Sequence, residues 1–96
     1  MRSRELTVLK LGGSVLRDRD ALAQAVHEVY RWWRAGSDVV AVVSALEGET
    51  DKLLSEARSI SDEPSADHCA TLLATGELRS AALLGLALQR AGLRAS

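Results

Sequence analysis

Lysine, glycine and serine residues follow one another where the first apolar segment ends, within 8-VLKLGGSVL-16. Glycines let backbone N–H groups approach an anion without interference from a Cβ atom. Successive N–H groups beside a helix N-terminus favour phosphate binding, and a lysine stabilises the charge on a transferring phosphoryl group. Lys10, Gly12, Gly13 and Ser14 are therefore a candidate phosphate site, although an ordinary strand–turn–helix connection shows the same pattern.

Polar residues also follow the second apolar segment, 38-DVVAVVS-44. In open parallel sheets, ligands bind beyond the carboxyl ends of the strands, so Ser44 and the glycine turn point to the same edge. Thr50 follows six residues later. The structural alternatives are that Ser44 ends a strand and that Thr50 caps a helix.

An isolated acid marks a third segment, 72-LLATGELRSAALLG-85. Glu77 is the only acidic residue among the last 26 and has apolar and small neighbours. A carboxylate in apolar surroundings is costly unless it is paired, and a substrate ammonium group could pair with it. Alternatively, Glu77 occupies the first turn of a helix that starts after Gly76, where the helix dipole favours an acid.

The elements that must position these residues begin with a strand, a helix and a strand. The short β-rich run 6–11 predicts a strand buried on both faces. The continuous apolar run 38–44 predicts a second strand, parallel to the first. Residues 18–35 predict the crossover helix, with Asp18 or Asp20 as its cap and Gly36 at its end. Its apolar stripe consists of Leu22, Val26, Val29 and Trp33.

The second half predicts helices. One spans about 50–60 with Thr50 as its cap, and another spans 66–91 with an interruption or kink near Gly76. The last helix is apolar on several sides, which predicts burial. A third strand is expected to start at 93-LRAS-96.

Composition limits the function classes. The 96 residues allow one small domain, and a net charge of -1 provides no field for nucleic acid or an anionic membrane. One cysteine excludes an internal disulfide. Two histidines and that cysteine are too scattered to predict a metal site. No signal peptide or run of about 18 apolar residues is evident, so we expect a cytoplasmic protein.

Together, 8-VLKLGGSVL-16, 39-VVAVVSALEGETDKLL-54 and 72-LLATGELRSAALLGLALQRAG-92 resemble the amino acid kinase family, in particular its aspartate kinase branch. The resemblance implies an α/β fold, namely a truncated three-layer sandwich in which a βαβ unit with parallel strands precedes helices. Residues 1–96 would be a single partial domain, the N-terminal portion of such a kinase domain.

The resemblance also implies a reaction, the Mg²⁺-dependent transfer of the ATP γ-phosphate to the side-chain carboxylate of aspartate. Lys10 would neutralise the transferring phosphate, which Gly12, Gly13 and Ser14 would cradle. The amino acid would be held by Ser44, Thr50 and Glu77, with Glu77 taking its ammonium group.

Two departures from the family argue against activity of this chain alone. The family's nucleotide-binding half has no counterpart here, so the expected partner is the missing C-terminal half or a second copy. Glu47 and Glu49 add like charges near a site for ATP and an acidic substrate. The alternatives are a catalytically dead binding or interaction module, or a regulatory segment of a homoserine dehydrogenase-type enzyme.

Overall fold

The computed structural model describes residues 4–13 and 17–96. Two parallel strands, β1 (Glu5–Leu11) and β2 (Ser37–Val43), form the sheet and flank helix α1 (Arg19–Arg34). Helices α2 (Glu49–Ile60) and α3 (Ala66–Arg90) follow. The strands pair in register from Glu5 with Ser37 to Leu11 with Val43. The predicted βαβ unit followed by helices is confirmed.

Helix α1 has the predicted ends. The Asp18 carboxylate accepts a hydrogen bond from the Ala21 N–H at 2.8 Å, which satisfies one of the free donors of the first turn. Gly36 follows the helix with a φ of 109°, a backbone conformation that glycine adopts readily. Within the predicted stripe, Val29 is buried, whereas Trp33 is 44% exposed.

The core lies on one face of the sheet, where α1 and α3 pack. Its buried members come from β1, α1 and α3, namely Leu11, Ala25, Val29, Leu84 and Leu88. On the opposite face, Leu6 and Val8 are 69% and 61% exposed, and Val40 and Val42 are each 47% exposed. The prediction that both faces are buried is therefore wrong for this chain, because its helices cover one face only.

Helix α2 begins differently from the prediction. Gly48, with a φ of 81°, is its N-cap residue, and no side chain caps it. Thr50 is instead the second helical residue, and it is exposed. The predicted Thr50 cap is wrong because the loop turns at Gly48, two residues earlier.

Helix α3 runs without interruption through Gly76. Its cap, Ser65, accepts a hydrogen bond from the His68 N–H at 3.3 Å. The predicted interruption is wrong, since glycine costs a helix only about 1 kcal/mol relative to alanine and Gly76 packs on another element. Glu77 is thus not in a first turn.

The burial expected on all sides of the last helix is also wrong. Gly76, Ser80, Leu84 and Leu88 form the buried side of α3, whereas Leu78 and Leu86 are 69% and 63% exposed. By length and composition alone, α3 could cross a membrane. This is weak evidence, because a core helix of a soluble protein passes the same test.

Candidate functional site

The carboxyl end of the sheet is where the structure brings the three motifs together. The Ser44 N–H donates to the Leu11 carbonyl oxygen at 3.2 Å. This bond continues the strand pairing by one residue and sets the start of the glycine turn beside the start of the loop 44–48. Parallel strands end at the same edge of a sheet, and here both candidate loops leave from that edge.

Gly13 lets the glycine turn lie directly against the loop 44–48. A Cβ atom at Gly13 would lie 2.5 Å from the Ala45 carbonyl oxygen and 3.0 Å from the Glu47 nitrogen. Such approaches to backbone atoms are prohibitive, so this position requires a glycine. By contrast, a Cβ atom at Gly12 would meet nothing within 4 Å. Gly13 therefore serves packing, whereas Gly12 leaves open space beside the turn.

Gly76 fixes α3 against the same loop. A Cβ atom there would lie 3.1 Å from the Ala45 Cβ, 3.3 Å from the Glu49 Cγ and 3.5 Å from the Leu53 Cδ1. Ala45 thus lies between Gly13 of the first motif and Gly76 of the third. The Ser80 hydroxyl, one turn further along α3, donates to the Gly76 carbonyl oxygen at 3.2 Å and is satisfied in its buried position.

The polar side chains of the candidate site remain accessible. Lys10, Thr50 and Glu77 are exposed, and Ser44 is half-buried. Within residues 4–13 and 17–96, no side-chain hydrogen bond or ion pair involves these four residues. Lys10 shares the uncovered face of β1 with Leu6 and Val8.

The helix dipole contributes less to the phosphate site than the sequence suggests. Asp18 already accepts the Ala21 N–H, and Asp20 adds a second acid to the first turn of α1. One free N–H of the first turn of α1 is therefore already bonded, and two carboxylates of this chain offset the positive end of the helix dipole. The attraction for phosphate then rests on Lys10 and the turn at Gly12 and Gly13, while Ser14 lies outside the described residues.

The described part of the chain offers a partial fit to ATP and Mg²⁺. Exposed Lys10 and the open space at Gly12 suit a phosphate group. In that same part, no group of three His, Cys, Asp or Glu side chains could hold a metal ion. Magnesium commonly uses substrate phosphates together with one or two carboxylates, and no Mg²⁺-dependent step is assigned to the described residues.

One cavity lies outside this site. It has a volume of about 720 Å³ and runs along β2 between α1, α3 and residues 92–96. None of the candidate site residues lines it. The segment 93–96, where a third strand was expected, has no assigned strand. Leu93 and Ala95 nevertheless pack against the core, so this segment lies beside the sheet.

Sequence reasoning missed one charged pair beside the site. Arg79 Nη1 lies 4.0 Å from Glu49 Oε2, which joins α3 to the first residue of α2. The sequence suggested Glu49 only as a charge that would oppose substrate binding. The two positions lie 30 apart in sequence and left no local spacing signal, and the packing of α3 on the loop brings them together.

Comparisons with known proteins identify the family of the chain. The sequence model of the amino acid kinase family matches residues 5–96. An aspartate kinase of Stutzerimonas stutzeri is 36% identical over 90 residues, which are 94% of this chain and 22% of that protein. Aspartokinase 2 of Bacillus subtilis is 40% identical over 87 residues, which are 91% of this chain and 21% of that protein.

A solved structure shows the same likeness in three dimensions. The crystal structure of aspartate kinase from Synechocystis superposes with a TM-score of 0.85 at 38% identity, covering 88% of this chain and 14% of that one. The chain spans about a fifth of the length of the curated relatives it matches. The chain belongs to the amino acid kinase family, on its aspartate kinase branch.

Proposed function

We propose that this chain is the substrate-side part of an aspartate kinase-like enzyme. The observation that carries the proposal is the position of Ala45, which contacts both the glycine turn and the middle of α3. Gly13 approaches the Ala45 carbonyl oxygen, and Gly76 approaches the Ala45 Cβ. Residues suited to a phosphate and residues suited to an amino acid are thereby collected at one edge of the sheet.

In the reaction, an oxygen of the aspartate side-chain carboxylate forms a bond to the γ-phosphorus of ATP. The bond from that phosphorus to the β–γ bridging oxygen breaks, and ADP leaves. Lys10 stabilises negative charge on the transferring group, while Gly12 and Gly13 present the turn that accommodates it. Ser14, which lies outside the described residues, is a further proposed phosphate ligand. ATP with Mg²⁺ supplies the phosphoryl group.

The amino acid is held from the other two segments. The proposed ligands are Ser44 at the end of β2, Thr50 in the first turn of α2 and Glu77 on α3. Glu77 pairs with the substrate ammonium group, a role that fits its exposure and its lack of a partner among the described side chains. Because this part binds only one of two substrates, the isolated chain is proposed to have no kinase activity.

The remaining surface supports a partial domain that associates with further structure. The radius of gyration is 16.1 Å, whereas a compact domain of this length has a value of about 12.5 Å. One face of the sheet is apolar and exposed, and such faces are normally covered. The nucleotide pocket would come from the remainder of a larger cytoplasmic enzyme, and a second copy is the alternative partner.

A binding module without catalysis is the second candidate function, favoured by Glu47. This acid is exposed in the loop that joins β2 to α2, where its charge opposes ATP more strongly than it opposes an amino acid. A module of this kind would bind a small acid or a protein partner. A regulatory segment of a homoserine dehydrogenase-type enzyme is one form of it.

Titration calorimetry with L-aspartate tests the substrate-side proposal on the purified chain. We expect saturable binding that Glu77→Gln weakens at least tenfold, since the ammonium group loses a charged partner. Glu63→Gln is the matched control, because Glu63 is an exposed acid in the loop between α2 and α3. Absence of binding by the wild-type chain would overturn the proposal for this substrate.

A phosphorylation assay separates the two candidate functions. With ATP, Mg²⁺ and aspartate, the isolated chain is expected to show no turnover, whereas the chain reassembled with the C-terminal remainder of an aspartate kinase relative should show turnover that Lys10→Ala abolishes. If the reassembled protein binds aspartate and remains inactive, the binding module is the better description. Turnover by the isolated chain would contradict the proposed dependence on a remainder.

A further inference from the structure

Glu49 lies against α3 at Gly76, where the helix has no side chain. Its Cγ is 3.3 Å from the place that a Cβ atom of Gly76 would occupy. The side chain of Glu49 is only 23% exposed, and its Oε2 lies 4.0 Å from Arg79 Nη1. The stem of Glu49 therefore packs on Gly76, and its carboxylate extends towards the residue three positions further along α3.

We propose that Glu49 and Arg79 are positioning residues that set the start of α2 relative to α3. Thr50 directly follows Glu49, and Glu77 lies between Gly76 and Arg79 in sequence. The contact thus joins the two segments assigned to the amino acid. The effect of this contact on substrate binding rests on the proposed function, whereas the contact between α2 and α3 does not depend on it.

The start of α2 is held by the apolar contacts of Leu46 and Leu53, and it has few polar constraints. Its N-cap is Gly48, and no side chain caps the helix. The loop ahead of it contacts Gly13 and Gly76 mainly through small groups, namely the Ala45 carbonyl oxygen and the Ala45 Cβ. Glu49 adds a long side chain that reaches across to α3. An acid in this first turn is also favoured by the helix dipole.

Arg79 also changes the charge that an acidic substrate would meet. The loop carries Glu47 and Glu49, and both charges oppose an anion. Arg79 places a positive charge beside one of them, which leaves Glu47 as the exposed acid of the pair. The contact therefore orients Glu49 towards α3 and offsets its charge in the same geometry.

A double-mutant cycle with amide hydrogen exchange tests the contact in the whole chain. The variants are Glu49→Gln, Arg79→Met and the two combined, and the probes are the amides of Lys52 and Leu53 in the first turns of α2. Each single variant should raise exchange by up to about fivefold, as expected for an exposed ion pair. The double variant should be no faster than the singles, because residues in contact are not additive.

Two further variants make the exchange result specific. Arg79→Lys keeps the charge and should restore most of the protection, whereas Arg90→Met, in the last turn of the same helix, should leave these amides unchanged. Unchanged exchange in both single variants, or losses that add in the double variant, would overturn the proposal.

Aspartate affinity then tests positioning as distinct from stability. Glu49→Gln and Arg79→Met should each weaken aspartate binding about two- to fivefold while the melting temperature stays within about 2 °C of wild type, and Arg79→Lys should recover the affinity. If a variant loses amide protection in α2 but binds aspartate as tightly as wild type, the positioning role is overturned. If wild-type chain binds no aspartate, the proposed function fails for that substrate, and the exchange cycle alone decides the contact.

Discussion

The two ends of the sheet are joined to their surroundings by different means. At the amino end, Arg4 connects three elements through polar bonds. Its Nε donates to Asp38 Oδ1 at 2.9 Å, and its Nη2 donates to the carbonyl oxygens of Trp33 and Ser37 at 2.6 and 2.8 Å. The guanidinium group also lies 5.5 Å from the Trp33 ring centroid. One side chain thus ties β1 to α1 and β2.

At the carboxyl end, contact is achieved by leaving side chains out. Gly13 and Gly76 let the glycine turn and α3 approach the loop 44–48 at Ala45. Within the described ranges, the polar side chains of the candidate site have no partner in the chain. The amino end therefore uses its polar groups for stability, while the carboxyl end uses backbone proximity and keeps its polar groups available for a ligand.

The largest expected effect comes from filling the space at Gly13. Gly13→Ala should destabilise the chain by about 1–3 kcal/mol, the usual range for overpacking, because its Cβ would lie 2.5 Å from a backbone oxygen. Gly12→Ala should change stability by less than about 1 kcal/mol, since its Cβ meets nothing within 4 Å. Urea unfolding of both variants gives the measurement, and equal effects would contradict the packing role assigned to Gly13.

The next effect tests the amino end. Arg4→Ala should destabilise the chain by about 1–2 kcal/mol, because two carbonyl acceptors lose a charged donor and Trp33 loses a cation–π contact. Arg31→Ala is the matched control, since that arginine contacts Glu28 and the Trp32 ring, both within α1. Thermal unfolding compares them. A loss for Arg31→Ala as large as that for Arg4→Ala would mean that linking separate elements adds nothing.

Features of the molecule that depend on neighbouring residues could be predicted from the sequence. Local patterns gave the elements correctly, because the strand at 38–44 and the helix capped by Asp18 depend on neighbouring residues. The meeting of the motifs at one edge also followed from parallel strands. The cap of α2 was missed because a glycine cap leaves no hydrogen-bonding signature, and Gly48 resembled an ordinary loop residue.

Features that depend on distant residues could not be predicted. Gly76 resembled a helix break, because its packing against Ala45 and Leu53 is not visible in the sequence. The β-rich run 6–11 indicated a strand covered on both faces, but a sequence pattern does not show which element covers each face. The Arg4 contacts and the Glu49–Arg79 pair span about 30 residues each and have no periodic signal.

A smaller effect separates close packing from helix propensity at the carboxyl end. Replacing a glycine in a helix by alanine stabilises the helix by about 1 kcal/mol. Gly85→Ala should show much of that gain, since its Cβ would meet nothing within 4 Å. Gly76→Ala should show little gain or a loss, because its Cβ would lie 3.1 Å from the Ala45 Cβ. In urea unfolding, Gly85→Ala should have a larger free energy of unfolding than Gly76→Ala. The reverse order would show that close packing at Gly76 does not hold the carboxyl end together.

The smallest effect concerns Glu28, whose contacts stay within a single helix. The Arg31 Nη2 donates to Glu28 Oε1 at 2.7 Å, and the Trp32 Nε1–H donates to the same oxygen at 3.1 Å. The hydrogen bond from Arg31, foremost, holds the pKa of Glu28 below its ordinary value of 4.5. Because the pKa is lower in the folded state, the resulting stability is present above pH 4.5 and is lost as pH falls through the folded pKa.

Glu28→Gln should therefore reduce stability slightly at pH 7 and less at pH values below the lowered pKa. The difference in unfolding midpoint between this variant and wild type, followed from pH 7 to about pH 3, gives the measurement. The effect should remain smaller than that of Arg4→Ala at every pH, because an exposed pair between neighbours on one helix is worth little. A Glu28→Gln effect that matched Arg4→Ala, or that grew towards acid, would show that joining separate elements is not what distinguishes the amino end.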